Sequence, residues 1–437
     1  MRLEALKAKI RAEKLAPLAG AAGPAEAEES NNHIHTCYSF SPYTPTAAAY
    51  RARQAGLTVA GSVDHDSLEA AAEMTEACQL LGLGSVTGFE IRVFLGETWG
   101  DLALRKLNNP DSAGILYMTV QGVPAPARDR VRAFLKPIRE RRLERTRKMT
   151  EAANSALSAA GVAGIDFDRD VRGISCYDQG GSITERHLLA ACSKVLIEAF
   201  GKGLAFVLNL QKALNLQLDA KTRERLADKD NPYLEYDLLG ALKAEFLPSI
   251  FIQPSDECVT AREAVEFALE IGAIPAYAYL GDVHESPTGD KKAEKFEDDF
   301  LPELFDVLKQ IGFPSITYMP PRNSQAQLAR VREMCARHGF MEISGVDINQ
   351  PRQSFNCPEL RLPEFSHLNT ATWALVAHEA LAGIEPSAGL FSTLNRYGSL
   401  PLDERLAMYA RCGRDMVRAH RNVSAVLAAF EKGRYEA

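Results

Sequence analysis

The stretch "NNHIHTCYSFSPYTP" at residues 31–45 sets two histidines one residue apart in a chain that has only nine. Side chains alternate faces along a β-strand, so His33 and His35 point the same way and can converge on one object, most naturally a metal ion. His-x-His also arises by chance on exposed strands, so the pair gains meaning only from what else meets it. Three further short runs have the same character. Asp64 and His65 stand in "VDHDS", Glu90 and Arg92 in "GFEIRV", and Asp347 and Asn349 in "GVDIN". Any one of these residues would ordinarily be a buried, satisfied polar group. Imidazoles together with carboxylates suit zinc, manganese or iron, and a carboxylate such as Glu90 can bridge two ions.

The elements that must position these residues alternate strand and helix. The run through His33 and His35 reads as a first strand, and "TPTAAAYRARQAG" as a helix with a Thr start, an alanine-rich interior and a terminal Gly. "LTVAGSVDHDS", "SVTGFEIRV" and "AGILYMTVQG" follow as strands, with the helical "LEAAAEMTEACQLLG" between the first two of them. Such alternation specifies a parallel sheet with helical crossovers. From residue 125 to 254 the pattern turns helical throughout, and strands resume at "AIPAYAYLG", "PSITYMP" and "MEISGVDIN". Seven strands suggest a closed or nearly closed α/β barrel, whose sites lie at the C-terminal strand ends, where all four polar runs fall. The expected division is a helix and linker at 1–30, a barrel at 31–124 and 255–357, a helical insertion at 125–254 and a helical extension at 358–437.

Bulk composition permits an enzyme. With 46% hydrophobic and 24% charged residues over 437 positions, the chain reads as an ordinary globular protein longer than a usual single domain. A formal net charge of -7 argues against a protein that coats long nucleic acid, and leaves room for a small phosphorylated ligand gripped by a few arginines. The eight cysteines form no C-x-x-C pair, so reduced thiols are expected. No apolar run suits a secretory signal or a membrane span, and a cytoplasmic location with no membrane partner is expected. Oligomeric state has no signature in the sequence.

In order and spacing, "HIHTCYS" with "YTPTAAAYRARQAGL", "VAGSVDHDSLEAA", "VTGFEI" and "GVDIN" resemble the motifs of the PHP (polymerase and histidinol phosphatase) domain, a family of metal-dependent phosphoesterases on a distorted seven-stranded barrel. "RERRLERTRKM" and "ITERHLLAA" are similar to the helical insertion of the subgroup that hydrolyses nucleotide bisphosphates or short oligoribonucleotides. The resemblance spans roughly residues 31–355. It implies one ion held by His33, His35, Glu90 and Asp347, and weaker sites drawing on Glu90 and on His65 with Asn349. It also implies that His187 contacts substrate phosphate. The chain departs from the pattern at Phe40 and Ser41, where a ligand is usual, at Tyr279 in "AYLG" where the family carries "AHPG", at Tyr117, and at Asn349.

The chemistry expected is hydrolysis of a small phosphate ester by metal-activated hydroxide, with Glu90 at the metal and His65 as ligand or proton donor. Tyr117 and Tyr279 are expected to ligate metal, to donate to phosphate or to fill space. Arg92, Arg322 and Arg352 are expected to supply a phosphate grip, and His284 is a spare ligand or a surface residue. Two rival readings are a hydrolase of a non-phosphate bond on the same hydroxide, and a degenerate metal- or ligand-binding protein without turnover.

Overall fold

The computed structural model describes residues 1–7, 28–282 and 295–435. The expected N-terminal helix lies largely, and His284 wholly, outside the described residues. Eight strands form one sheet: β1 (Ser30–Ile34), β2 (Val59–His65), β3 (Gly84–Phe94), β4 (Ile115–Gln121), the two-residue β5 (Val259–Thr260), β6 (Ile274–Ala278), β7 (Ser315–Tyr318) and β8 (Met341–Ser344). Their spatial order is β1-β2-β3-β4-β6-β7-β8, with β5 beside β3. The seven strands expected from sequence are the seven of this path. One expectation fails, because β4 runs antiparallel to both β3 and β6. No α-helical crossover is needed there: β3 returns antiparallel into β4 through residues 95–114, which hold a 3-10 turn at Glu97–Leu104.

Local signals explain the first crossovers. Helix α1 (Pro45–Gln54) starts at Thr44, whose side chain accepts from the Ala47 amide, has Pro45 at its first position, and ends before Gly56 in a left-handed turn at φ 82°. Helix α2 (Ala70–Leu80) buries Ala70, Ala71, Met74, Ala77 and Cys78, one face of a helical repeat.

The sheet closes through side chain and loop rather than a regular β1–β8 ladder. Asn31 donates to the Val346 carbonyl at 2.9 Å and accepts from the Val346 amide at 3.0 Å. Beyond it, the His35 amide bonds the Ile348 carbonyl and the Ile348 amide bonds the His33 carbonyl, at 2.9 and 3.1 Å. A register break in β1 between Asn31 and Ile34 accompanies this seam. Asp347 is thereby pinned between two residues bonded to the first strand.

The helices α8 (Ala261–Glu270), α9 (Leu301–Ile311) and α10 (Gln325–His338) lie outside the sheet and share an apolar core with β3, β4, β6 and β7. The C-terminal helices α11 (Ser366–Ala382), α12 (Leu402–Val417) and α13 (Val423–Glu431) pack on Val59, Val86, Ile274 and Met341. Trp373 of α11 reaches the start of β3, where a Cβ on Gly84 would lie 3.4 Å from its ring. The C-terminal segment therefore plugs the barrel at the end opposite the polar residues. Among the described residues no helix is long and apolar enough to cross a membrane.

Residues between β4 and β5 form helices α3 (Arg128–Ala159), α4 (Glu185–Phe200), α5 (Leu204–Leu214), α6 (Ala220–Ala227) and α7 (Leu234–Glu245), with an apolar core of their own. A buried knot of charges joins them to the barrel. Glu185 accepts from Arg92 at 2.9 Å, from Arg142 at 2.7 Å and from Arg145. Arg142 also binds Asp66 at 2.6 Å, and Arg145 binds Glu257 at 2.8 Å. Burial alone would raise the Glu185 pKa, but Arg142, Arg92 and Arg145 hold it well below the usual glutamate range. The depressed value means that the stabilisation is present above the ordinary glutamate pKa and fades only as pH falls through the folded one. Glu185→Ala leaves three buried guanidiniums short of a shared carboxylate, and should cost about 3 kcal/mol or more in urea denaturation at pH 7. A loss under about 0.5 kcal/mol would show that the knot adds nothing to stability.

Candidate metal centre

Five groups meet at the C-terminal end of the strands. Glu90 stands opposite His65 in the β2–β3 register, and His33 and His35 arrive from β1 with ring centroids 5.1 Å apart. The Glu90 carboxylate lies 3.7 Å from His33 Nε2, 3.8 Å from His35 Nε2 and 3.0 Å from His65 Nδ1. Asp347 Oδ1 is 3.3 Å from His35 Nε2. Two overlapping clusters result, His33–His35–Asp347 and His35–His65–Glu90, each with ligand atoms within 4.8 Å of one another.

A second layer orients His35. Its Nδ1 is 3.2 Å from Ser39 Oγ, and Ser39 donates to Asp64 Oδ1 at 2.6 Å. Asp64 also accepts from the Thr36 amide and hydroxyl, both at 2.6 Å. With Nδ1 so engaged, Nε2 is left facing the carboxylates, the arrangement that metal-binding imidazoles commonly show. Asp64 thus serves behind the cluster rather than in it.

Electrostatics within the cluster are strained in a way that suits a cation. Burial opposes charge on His33, yet Glu90, Asp347 and Asp64 outweigh it and lift its pKa. Burial likewise favours a neutral Asp347, but His35 and His33 hold its carboxyl far below the usual range. His65 moves the other way, lowered by burial and then by His35 and Arg142. At the cluster, buried Asn349 Oδ1 has no hydrogen-bond partner, and His65 Nδ1, though 3.0 Å from the Glu90 carboxylate, is not aligned to form a hydrogen bond with it. Asn349 instead turns its amide nitrogen to Asp347 Oδ1 at 2.7 Å. Three imidazoles, two carboxylates and orphaned donor atoms at one point fit a divalent transition-metal ion. His33, His35, His65, Glu90 and Asp347 could hold it, with Asn349 at the edge.

A pocket that is partly open to solvent lies over this cluster. His33, His65, Glu90, Asp347 and Asn349 form its floor, and Tyr117 and Tyr279 its side. The Tyr117 ring is 5.7 Å from that of His65, and burial keeps its phenol neutral by raising its pKa. The Tyr279 hydroxyl donates to Asp298 at 2.5 Å, and burial followed by Asp298 raises its pKa too. Its proton is committed away from the cluster, which argues against a phenolate ligand and against a free donor.

Four residues expected to touch substrate are placed elsewhere, since none of them is among the described residues lining the pocket. Arg92 is consumed by the charge knot. His187 belongs to the N-terminal cap of α4, where its Nδ1 accepts from the Thr184 amide at 3.0 Å, and its ring meets Phe40 edge-on at 5.0 Å. Phe40 therefore fills the ligand-poor position after the first motif by packing on α4. Arg322 donates to the Leu280 carbonyl at 3.2 Å, and Arg352 clasps Asp237 of α7 at 2.8 and 2.9 Å.

The cations that do line the pocket are Arg186 of α4 and Lys243 of α7. Among the described residues neither makes a hydrogen bond or an ion pair. Sequence reading passed over both. Arg186 immediately precedes the His187 chosen by motif, and Lys243 is one lysine among many on helices.

No protein-family model matches the chain. A 3',5'-nucleoside bisphosphate phosphatase of Chromobacterium violaceum is 31% identical over 140 residues, which are 32% of this chain and 41% of that protein, so the likeness spans well under half of the relative. Two solved structures share lower similarity. A protein of Bifidobacterium adolescentis, provisionally described as a metal-dependent phosphoesterase, is 19% identical with a TM-score of 0.47, covering 76% of this chain and 93% of that one. An amidohydrolase of Chromobacterium violaceum, solved with sulfate and no metal, is 20% identical with a TM-score of 0.48, covering 75% and 89%.

His35 belongs to both clusters. His35→Ala should therefore abolish tight metal binding in elemental analysis of protein purified without added metal. Asp64→Asn keeps shape but weakens the Ser39–His35 support, and should lower metal affinity about 10- to 100-fold with the fold intact by circular dichroism. Unchanged affinity in Asp64→Asn would remove the orienting role assigned to this chain of bonds.

Proposed function

We propose that the protein is a hydrolase that cleaves a phosphate ester of a small phosphorylated substrate with the help of a divalent metal. The observation that carries this reading is the composition of the pocket. A His/carboxylate cluster forms one wall, and two cations that make no hydrogen bond or ion pair among the described residues, Arg186 and Lys243, form the other. A guanidinium and an ammonium that face one cavity with no carboxylate paired to them among the described residues suit a dianionic group, because a half-buried cation is otherwise matched by a carboxylate. The short match to a nucleoside bisphosphate phosphatase points to the same bond class.

His33, His35, Glu90 and Asp347 would hold the first ion, and His65 and Asn349 would contribute to weaker binding beside it. When bound, such a cation acts as a Lewis acid and makes water a competent nucleophile near neutral pH. The chain's own residues supply the rest. Arg186 and Lys243 bind and orient the phosphoryl group, and the neutral phenol of Tyr117 donates to one of its oxygens. His65 acts as a ligand next to Glu90. The lining by Leu280, Tyr318 and Met319 limits water around the phosphoryl group. Tyr279 shapes the wall through its bond to Asp298 rather than by direct chemistry.

A panel of phosphomonoesters and phosphodiesters, assayed with zinc, manganese or iron(II) and with a chelator, tests this directly. Metal-dependent turnover of at least one phosphoester is expected. Turnover confined to amide or other non-phosphate bonds, or none at all, would overturn the proposal in favour of a different hydrolase or a binding protein.

Two more outcomes follow from the named residues. Elemental analysis should find one tightly retained ion per chain, and three tightly retained ions would refute the ligand assignment. Arg186→Ala and Lys243→Ala should each lower kcat/KM about 10-fold or more, mainly through KM, with metal content unchanged. His187→Ala should by contrast act through stability of α4 rather than through KM.

A further inference from the structure

Two thiols far apart in sequence meet where the helical segment touches the barrel. Cys37 follows His35 by two residues, and Cys176 lies between α3 and α4, roughly 140 residues further on. The Cys37 and Cys176 thiols lie near enough to each other for each to perturb the other's ionisation. The backbone around them is laced together. The Ser182 amide bonds the Tyr38 carbonyl at 2.7 Å, Ser67 Oγ bonds the Gly180 carbonyl at 2.9 Å, and the Cys37 amide bonds the Tyr43 carbonyl at 2.8 Å. At Gly181 a Cβ would fall 2.8 Å from both the Cys176 and the Tyr38 carbonyl oxygens, so the two turns are in direct contact. Both thiols are half-buried, as is Cys258, whereas Cys78, Cys192, Cys335, Cys357 and Cys412 are buried.

We propose that Cys37 and Cys176 form a reversible disulfide under a hydroperoxide, a modification site that staples the helical segment to the barrel loop following His35. The neighbouring Cys37 thiol eases the ionisation of Cys176, and Cys176 is the thiol that reacts first. Its thiolate attacks one peroxide oxygen and breaks the O–O bond. A sulfenic acid forms, and the departing hydroxide takes up the proton the thiol lost, leaving as water. Cys37 sulfur then attacks the sulfenic sulfur, the S–S bond forms, and the expelled hydroxide leaves as a second water with the Cys37 proton. Two thiols are oxidised by two electrons and one hydrogen peroxide is reduced to two waters. A bond that closes so long a loop constrains the unfolded chain strongly, and it ties the turn leading to Arg186 onto the barrel.

The test uses the full chain, reduced and then treated with hydrogen peroxide, and needs no substrate, so it stands apart from the phosphoester reading. Intact mass should fall by about 2 Da and return with dithiothreitol. A non-reduced digest should contain one peptide pair joining Cys37 to Cys176. The melting temperature should rise by about 3 °C or more and fall back on reduction, and proteolysis within residues 160–250 should slow. Cys37→Ser and Cys176→Ser should each remove the mass change and the melting shift. Recovery of Cys37 and Cys176 as free thiols, or as separate sulfinic acids with no joined peptide, would overturn the proposal in wild-type protein without recourse to variants.

Discussion

One carboxylate buried among three guanidiniums governs where the helical segment sits. Moving such charges out of water costs several kcal/mol each, and only close geometry with complementary partners offsets it. Arg92, Arg142 and Arg145 meet Glu185, Glu257 and Asp66, three charges against three, so the knot is neutral as a whole. Few other placements of the helices could satisfy all six groups at once. The consequence reaches the pocket directly, because Glu185 opens α4 and Arg186 is the next residue. Glu185 turns inward to the knot while its neighbour faces the cavity. Arg352 adds a second clasp by gripping Asp237 on α7, the helix that carries Lys243. Both pocket cations are therefore held on helices that ion pairs fasten to the barrel.

The metal cluster depends on a different constraint, the closure of the sheet. Its first and last contributors are more than 300 residues apart, and what joins them is the Asn31 side chain bonded in both directions to Val346. Asparagine can do this because it carries a donor and an acceptor on one short side chain. With Val346 and Ile348 tied to the first strand, Asp347 between them has one place to go, against His35. At the other end, α11 closes the barrel with Trp373 and its neighbours. Polar chemistry at one mouth and apolar packing at the other give the barrel its direction.

Departures from the PHP pattern acquire physical explanations in the folded chain. Phe40, at a position where the resembled motif usually carries a ligand, makes an aromatic contact with His187 and another with Tyr236, and so docks the helices. Tyr279, at a position where the resembled motif carries an imidazole, donates to Asp298, which also accepts from the Asp282 amide and from Gln327. That carboxylate is satisfied by its own neighbours. Phe40 and Tyr279 are thus engaged in local packing and hydrogen bonding, and the candidate metal cluster is the one built on His33, His35, His65, Glu90 and Asp347.

Much of the barrel was legible in the sequence, because strands and crossover helices leave periodic signals and because ligand residues two apart share a strand face whatever the rest of the chain does. The same local logic placed the ends of α1 and located all four polar runs at one edge. Strand direction escaped it, since β4 reads alike in either orientation and only its partners decide. The arginines escaped it for a related reason. A guanidinium two residues after Glu90 looks like a phosphate grip until Glu185 and Glu257 arrive from far along the chain to neutralise it, while Arg186, with no local signal, faces the pocket without an ion pair among the described residues. Sequence determined which side chains could form the cluster; tertiary structure decided which charges were paired, because pairing is a contest among residues that only folding brings together.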